Sequence, residues 1–330
     1  MVYQIVLIDR YGRKVSHLRI SVTNKCNHNC VFCHREGIFT NSYDEELTAN
    51  DWIFVAEVAV KLGIKYYKLT GGEPLVRNDI VDIVRGITEA GGHVSIVTNG
   101  SLLENYAEKL AEAGLKYLNV SLHSLNPEKF YRITRGRLEN VLKGIDKALE
   151  AGLKTRLDYV VLTWNKDEYK EIIEYAMNKG LDLNIIELIP LGLTLGEWRE
   201  LHTGLEEIKA YLEKISIGKK IKEFQSRPVY ILPNGVEVTF VKGLCNPEMC
   251  MKCTRLRMTP EGYIKTCIYR NDQLVNARKY ILARDSEGLV EAFKKAVEIR
   301  EPYFKPGEKI SIEELYNRIT REKMVHVVNP

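Results

Sequence analysis

Six short runs rich in β-branched and aromatic residues, at 18–23, 66–70, 94–98, 117–122, 157–162 and 183–189, alternate with amphipathic stretches. The stretch 50–61 is closed by Gly63. The stretch 139–150 carries Val141, Leu142, Ile145, Ala148 and Leu149 on one helical face and is closed by Gly152. Glycine just past the last periodic residue is the expected helix stop. Strands alternating with helices imply right-handed βαβ units and a parallel sheet. Six units are too few for the eight-fold closed barrel. A doubly wound sheet and a partial barrel both satisfy the pattern.

The rhythm changes after Pro190-Leu-Gly192. Positions 193–216 read as one helix. Two strand-like runs, 227–232 and 236–241, flank Pro233-Asn234-Gly235 and predict a hairpin. Further helices are expected at 289–300 and 312–323. The division expected from this change is 1–215 and 216–330, with neither repeats nor low-complexity tracts.

The seven cysteines fall into two groups. Cys26, Cys30 and Cys33 directly follow the first strand-like run, and active sites of parallel α/β proteins lie at the carboxyl ends of strands. Iron–sulfur clusters are usually held by four thiolates, so three would leave one iron open for an exogenous ligand. A zinc knuckle completed by His28 or His34 fits the same spacing. The second group is Cys245, Cys250, Cys253 and Cys267. Taken as a tetrad it reads as a structural zinc site; taken as three plus a spare thiol it reads as a cluster site. Clustered, odd-numbered cysteines speak against a secreted disulfide framework.

The first group stands beside Thr70-Gly71-Gly72-Glu73-Pro74, which ends the second strand-like run. The conjunction resembles the radical S-adenosylmethionine enzymes. That resemblance covers roughly residues 10–190 and implies a partial six-stranded (β/α) barrel. It implies a [4Fe–4S] cluster on Cys26, Cys30 and Cys33 whose open iron chelates S-adenosylmethionine. It further implies that Gly71, Gly72 and Glu73, with Thr98, Asn99 and Ser121, seat that cofactor.

The segment from Cys250 to Cys267, with Cys253-Thr-Arg255-Leu-Arg257 inside it, is similar to the GTP 3′,8-cyclases of molybdopterin biosynthesis. Asp9-Arg-Tyr-Gly-Arg13, Leu18-Arg19-Ile20-Ser21-Val22-Thr23 and Val120-Ser-Leu-His-Ser-Leu-Asn-Pro-Glu-Lys-Phe130 agree with it. So does Cys33-His34-Arg35-Glu36-Gly37, in the manner of the archaeal branch. This likeness spans nearly the whole chain. It implies a second [4Fe–4S] cluster on Cys250, Cys253 and Cys267, with Cys245 outside the ligand set. The two clusters are then expected to face each other across the barrel mouth with GTP between them. Arg19, Arg255 and Arg257 match family positions that serve catalysis and bind GTP, and Lys68 and Arg156 match basic positions near it. Three departures stand out. The chain ends Val327-Val-Asn-Pro330 where the family ends in Gly-Gly. Tyr66 replaces a lysine, and Asn184 a basic residue.

The reaction so implied takes hydrogen from C3′ of the GTP ribose and joins that carbon to C8 of guanine, giving (8S)-3′,8-cyclo-7,8-dihydroguanosine 5′-triphosphate. The implied partners are GTP, an electron donor, the downstream cyclic pyranopterin monophosphate synthase and a second copy in a homodimer. Two other readings use the same cysteines: a two-cluster peptide-modifying radical enzyme and a non-catalytic zinc or iron–sulfur binder. The net charge of +4 on 330 residues lacks the concentrated basic character of a nucleic-acid binder. No apolar run approaches the ~20 residues of a membrane helix. The first residues do not read as a signal peptide, so a cytoplasmic location is expected.

Overall fold

The computed structural model describes residues 6–38, 44–321 and 327–328. Six parallel strands form its centre: β1 (His17–Ser21), β2 (Tyr66–Thr70), β3 (His93–Thr98), β4 (Tyr117–Ser121), β5 (Lys154–Val161) and β6 (Asp182–Glu187). Between them run α1 (Ala49–Lys61), α2 (Ile80–Glu89), α3 (Leu103–Glu112), α4 (Pro127–Thr134), α5 (Leu138–Glu150) and α6 (Tyr169–Lys179). Helix starts obey local chemistry. Thr48 and Asp51 form a capping box ahead of α1, and the Asn126 side chain accepts from Glu128 N and Lys129 N ahead of α4.

Alternation along the strands sorts the two sheet faces. Leu18, Ile20, Tyr67, Leu69, Ile96, Leu118, Leu157, Leu183 and Ile185 are buried and belong to one apolar core with the helices. The alternate positions carry Arg19, Lys68, Asn119, Asp158 and Asn184. These bond one another across the inner face: Lys68 Nζ to Asn119 Oδ1 at 2.9 Å, Asn119 Nδ2 to Asp158 at 2.9 Å, and Asn184 Nδ2 to Asp158 at 2.6 Å. The barrel interior is therefore polar.

The rest of the chain extends both edges of this sheet. After α7 (Leu195–Leu201) and α8 (Glu206–Ile215) come β7 (Gly218–Lys222), β8 (Arg227–Ile231) and β9 (Glu237–Val241). β9 pairs parallel with β6. Then α9 (Pro247–Met251) leads to β10 (Arg255–Met258), β11 (Tyr263–Lys265) and β12 (Leu274–Asn276). α10 (Arg278–Leu282), α11 (Ser286–Ile299), α12 (Ile312–Arg321) and β13 (Val327–Val328) follow. β10 pairs parallel with β1, at the opposite edge from β9. The strand order is β13-β12-β11-β10-β1-β2-β3-β4-β5-β6-β9-β8-β7. Among the described residues it does not close on itself, so the six-unit body is a partial barrel. The doubly wound alternative falls, because β1 through β6 neighbour one another in chain order.

The single helix expected over 193–216 is two. α7 ends at His202, which is extended and stacks on Trp198 with centroids 4.3 Å apart. Gly204, a weak helix former, follows in the break. The hairpin and the helix near 289–300 lie where the sequence places them; the last two residues of the 312–323 helix, and the final Asn329-Pro330, fall outside the described residues. Among the described residues no helix is long and apolar enough to cross a membrane.

Candidate functional site

The loop after β1 carries Cys26, Cys30 and Cys33, and its backbone is anchored independently of the sulfurs. Asn29 N and Val31 N donate to the carbonyls of Thr134 and Ile133 at the end of α4, at 3.0 and 2.9 Å. Val31 and Phe32 pack into the apolar cluster around Leu188 and Trp198. The three thiols act on each other. Burial pushes Cys30 far up, and negative charge on Cys33 and Cys26 adds to the shift. A buried thiol flanked by two more on one loop fits a cluster that takes them as thiolates.

Gly71 and Gly72 serve this loop directly. A Cβ on Gly71 would lie 2.3 Å from the Thr23 carbonyl oxygen, and one on Gly72 2.1 Å from that of Lys25. Gly72 N and Glu73 N donate to those same carbonyls, each at 2.8 Å. The sequence suggests glycines that approach a ligand; here they approach the backbone that leads into Cys26. Glu73 is buried and accepts from Leu75 N at 3.0 Å, Thr98 Oγ1 at 2.6 Å and Asn99 N at 2.6 Å. Burial raises its carboxyl to about 7, against these donors. Asn99 Nδ2 reaches Asn27 of the cysteine loop at 2.8 Å. Gly71, Gly72, Glu73, Thr98 and Asn99 therefore meet at the carboxyl ends of β2 and β3. Ser121 ends β4, in register with Asp158.

The second cysteine group is positioned by the edge strand β10. β10 runs parallel to β1 and begins level with His17, where Ser16 N and His17 N donate to Thr254 O. Cys253, just before β10, therefore lies at the amino end of β1. Cys267, just after the antiparallel β11, returns to that level. Cys250 and Cys267 nonetheless pack with Ile189 and Leu191, just past the carboxyl end of β6, and the Ile268 carbonyl lies against Gly37 of the first cysteine loop. Cys250 and Cys267 lie against Tyr269, Tyr303 and Phe304. Burial, with Cys267 and Cys253 nearby, pushes Cys250 up to about 12. Burial also opposes ionisation of Cys253, but Arg300, Arg255 and Arg13 hold its thiol below the usual range.

Arg13 and Arg300 belong, with Asp9, to a buried triad that holds the second loop. Asp9 accepts from Arg13 Nε at 2.8 Å and from Arg300 Nη1 at 2.7 Å. Arg13 Nη1 donates to the Cys250 carbonyl at 2.9 Å, and Arg300 Nη2 to that of Cys253. The Asp9 side chain is fully buried. Removing one member of a buried ion network leaves charge uncompensated and costs ~3–5 kcal/mol. Asp9→Ala is expected to lose that much in urea denaturation of the full chain; a loss below ~1 kcal/mol, the scale of an exposed pair, would show that water compensates the two guanidiniums.

Cys245 faces elsewhere. Burial, Glu187 and Glu308 raise its thiol, with Arg318 opposing. Among the described residues no group of three His, Cys, Asp or Glu side chains is drawn together closely enough to hold a single metal ion.

Between the two groups lies a cationic inner face. The β1–β10 register sets Arg257 beside Arg19 and Arg255 beside His17. Lys68 is next to Arg19 on β2. Burial lowers the Lys68 ammonium to about 7, against Asp158. Arg255 lies over the Phe224 ring, 4.6 Å from its centroid, and burial with Arg227, Arg19 and Arg257 pushes it well below the usual range. Arg156 is committed to Asp182 at 2.6 Å. Sequence reasoning missed Arg227, whose guanidinium burial lowers to about 10. It also missed the role of Glu36, whose carboxylate receives both Arg19 and Arg257. The polar alternation within the strands was the available signal for the inner face.

Residues 20–176 match the family model of the radical SAM superfamily, and residues 181–306 that of Molybdenum Cofactor Synthesis C. A "Probable GTP 3′,8-cyclase" of Saccharolobus islandicus is 42% identical over 308 residues, covering 91% of this chain and 99% of the relative. One of the same name from Metallosphaera sedula is 40% identical, covering 93% and 100%. In fold, the chain is similar to Streptococcus suis SuiB bound to S-adenosylmethionine, with a TM-score of 0.64 at 19% identity, over 85% of this chain and 68% of that one.

Proposed function

The chain belongs to the GTP 3′,8-cyclase family of radical S-adenosylmethionine enzymes, and from that premise we propose that it converts GTP to (8S)-3′,8-cyclo-7,8-dihydroguanosine 5′-triphosphate, the first step of molybdenum cofactor biosynthesis. The observation that carries the reading is the parallel pairing of β10 with β1. It brings Arg255 and Arg257 beside Arg19 and Lys68, on a face running between two separate sets of three thiols.

The family implies a [4Fe–4S] cluster and S-adenosylmethionine. When bound, that pair supplies a reducing electron that splits the sulfonium and yields a hydrogen-abstracting radical. In our reading Cys26, Cys30 and Cys33 hold the cluster, since their loop is braced by α4 and their thiols act on one another. Gly71 and Gly72 bring the β2 loop against it, and Glu73 locks the β2 and β3 ends together. Thr98, Asn99 and Ser121 line the same carboxyl edge for the cofactor. A second [4Fe–4S] cluster is assigned to Cys250, Cys253 and Cys267. The aromatic wall of Tyr269, Tyr303 and Phe304 would keep water from it, and the Asp9–Arg13–Arg300 network would hold its loop.

GTP carries the anion that Arg19, Lys68, Arg156, Arg255 and Arg257 suit. Guanidinium forks match phosphate oxygens bidentately. With Arg156 already paired to Asp182, the excess of Arg19, Lys68, Arg255 and Arg257 over Glu36 and Asp158 is the local electrostatic demand that a triphosphate satisfies. An external electron donor, a downstream cyclic pyranopterin monophosphate synthase, a reducing cytoplasm and a homodimer complete the proposal.

The test is anaerobic reconstitution with reductant, S-adenosylmethionine and GTP. The expected result is ~eight irons per chain, four for each cluster, with 5′-deoxyadenosine and the cyclised nucleotide formed together. Zinc without iron, or 5′-deoxyadenosine without nucleotide product, would overturn the reading.

A further inference from the structure

We infer that Glu36 is the positioning residue that holds Arg19 and Arg257 side by side so that their free N–H groups meet the substrate's phosphate oxygens. The inference deepens the GTP reading above and rests on it. Arg19 and Arg257 are direct partners in the β1–β10 ladder. Strands ~4.8 Å apart place two such side chains on one face within contact range, and like charges directly opposite destabilise a sheet. An uncompensated pair would splay.

Glu36 sits under both. Arg19 donates from Nε to Oε2 at 2.8 Å and from Nη2 to Oε1 at 2.5 Å. Arg257 Nη1 donates to Oε2 at 2.7 Å, and Thr70 Oγ1 to Oε1 at 3.1 Å. The carboxylate is thus fully engaged, and the residue is 6% exposed. The guanidiniums are not. Among the described residues, Arg19 Nη1 and Arg257 Nε and Nη2 make no hydrogen bond, and they are what an incoming anion would find.

The carboxylate is fixed from its own backbone. Arg35 and Glu36 adopt positive φ, 45° and 52°, which non-glycine residues rarely do. Such strain persists only where the surroundings impose it. The turn is closed by Gly37 N to the His34 carbonyl at 2.7 Å and Ile38 N to the Arg35 carbonyl at 2.9 Å, and the buried Lys265 holds it from outside, donating from Nζ to the Gly37 carbonyl at 2.5 Å and to Asn271 at 2.6 Å. Lys265 is the partner of Arg257 across the β10–β11 ladder. Strand register, Glu36 and Lys265 therefore form one frame around the two arginines. A carboxylate that merely occupied an anion site until substrate arrived would need a turn free to withdraw; this turn is clamped.

The experiment compares GTP with guanosine, which lacks the phosphates, by equilibrium dialysis against the anaerobically reconstituted full chain. Glu36→Gln is expected to weaken GTP binding about tenfold or more, the scale of a lost charge-assisted contact, while guanosine binding and iron content hold. Glu36→Asp, which keeps the charge one methylene further back, is expected to recover part of the loss. If the Gln variant loses its irons, the Asp variant carries the same comparison, with an intermediate GTP loss and unchanged guanosine binding expected. GTP binding unchanged or tighter in the variant would overturn the inference and make Glu36 a bystander or competitor. Equal weakening of GTP and guanosine would make its role structural and overturn it too. An iron-loaded wild-type chain with no saturable GTP binding would instead overturn the nucleotide reading, and this inference with it.

Discussion

Cys30→Ala is expected to abolish 5′-deoxyadenosine release from S-adenosylmethionine and to remove ~four irons per chain, one cluster's worth. Cys30 is the least exposed of its three thiols, and burial, with Cys33 and Cys26 nearby, pushes it far up, so it gains from ligation. The loop does not depend on that sulfur for its path. Asn29 N and Val31 N remain bonded to α4, and Phe32 remains packed beside His123, 4.7 Å between ring centroids. Thermal denaturation should therefore show a folded variant, and the activity loss can be read as loss of a ligand. Normal S-adenosylmethionine cleavage by Cys30→Ala would refute the assignment of the first group.

Cys253→Ala is expected to reduce cyclisation below detection while a first cluster remains visible by electron paramagnetic resonance. Each thiol group sits on a loop with its own backbone anchors, α4 for the first and Arg13 with Arg300 for the second, so one can be emptied without dismantling the other. Cys253 also has the thiol most favoured as thiolate in its group, because Arg300, Arg255 and Arg13 face it. Its loop stays held, since Arg300 and Arg13 grip the carbonyls of Cys253 and Cys250 rather than the sulfurs. Loss of both clusters together would argue against two independent sites. Retained cyclisation would leave the second group without a part in the reaction.

Much of the site was legible because it is local. Cys26, Cys30 and Cys33 lie within eight positions, and Gly71-Gly72-Glu73 are contiguous; short spacing forces such residues together on whatever loop carries them. The strand at 66–70 and the helix ending at Lys61 were legible for the same reason, as periodicity and caps act over one or two turns. The split between α7 and α8 was not, because His202 leaves the helix at its stack on Trp198, near Glu187 at 3.6 Å. β7, β10, β11, β12 and β13 were missed as strands. They are short, and their pairing energy comes from neighbours distant in sequence.

By itself, the sequence determined the βα rhythm, the three-thiol loop, the Gly71-Gly72-Glu73 turn and the second cysteine group. Each is written in residues a few positions apart, where covalent reach and helical or strand period leave little choice. Only the tertiary structure decided that Arg257 stands beside Arg19 and that Glu36 lies between them. Those facts depend on β10 pairing parallel with β1 across more than two hundred residues. Register between strands is set by which faces can be buried, and that is settled only once the whole sheet has assembled.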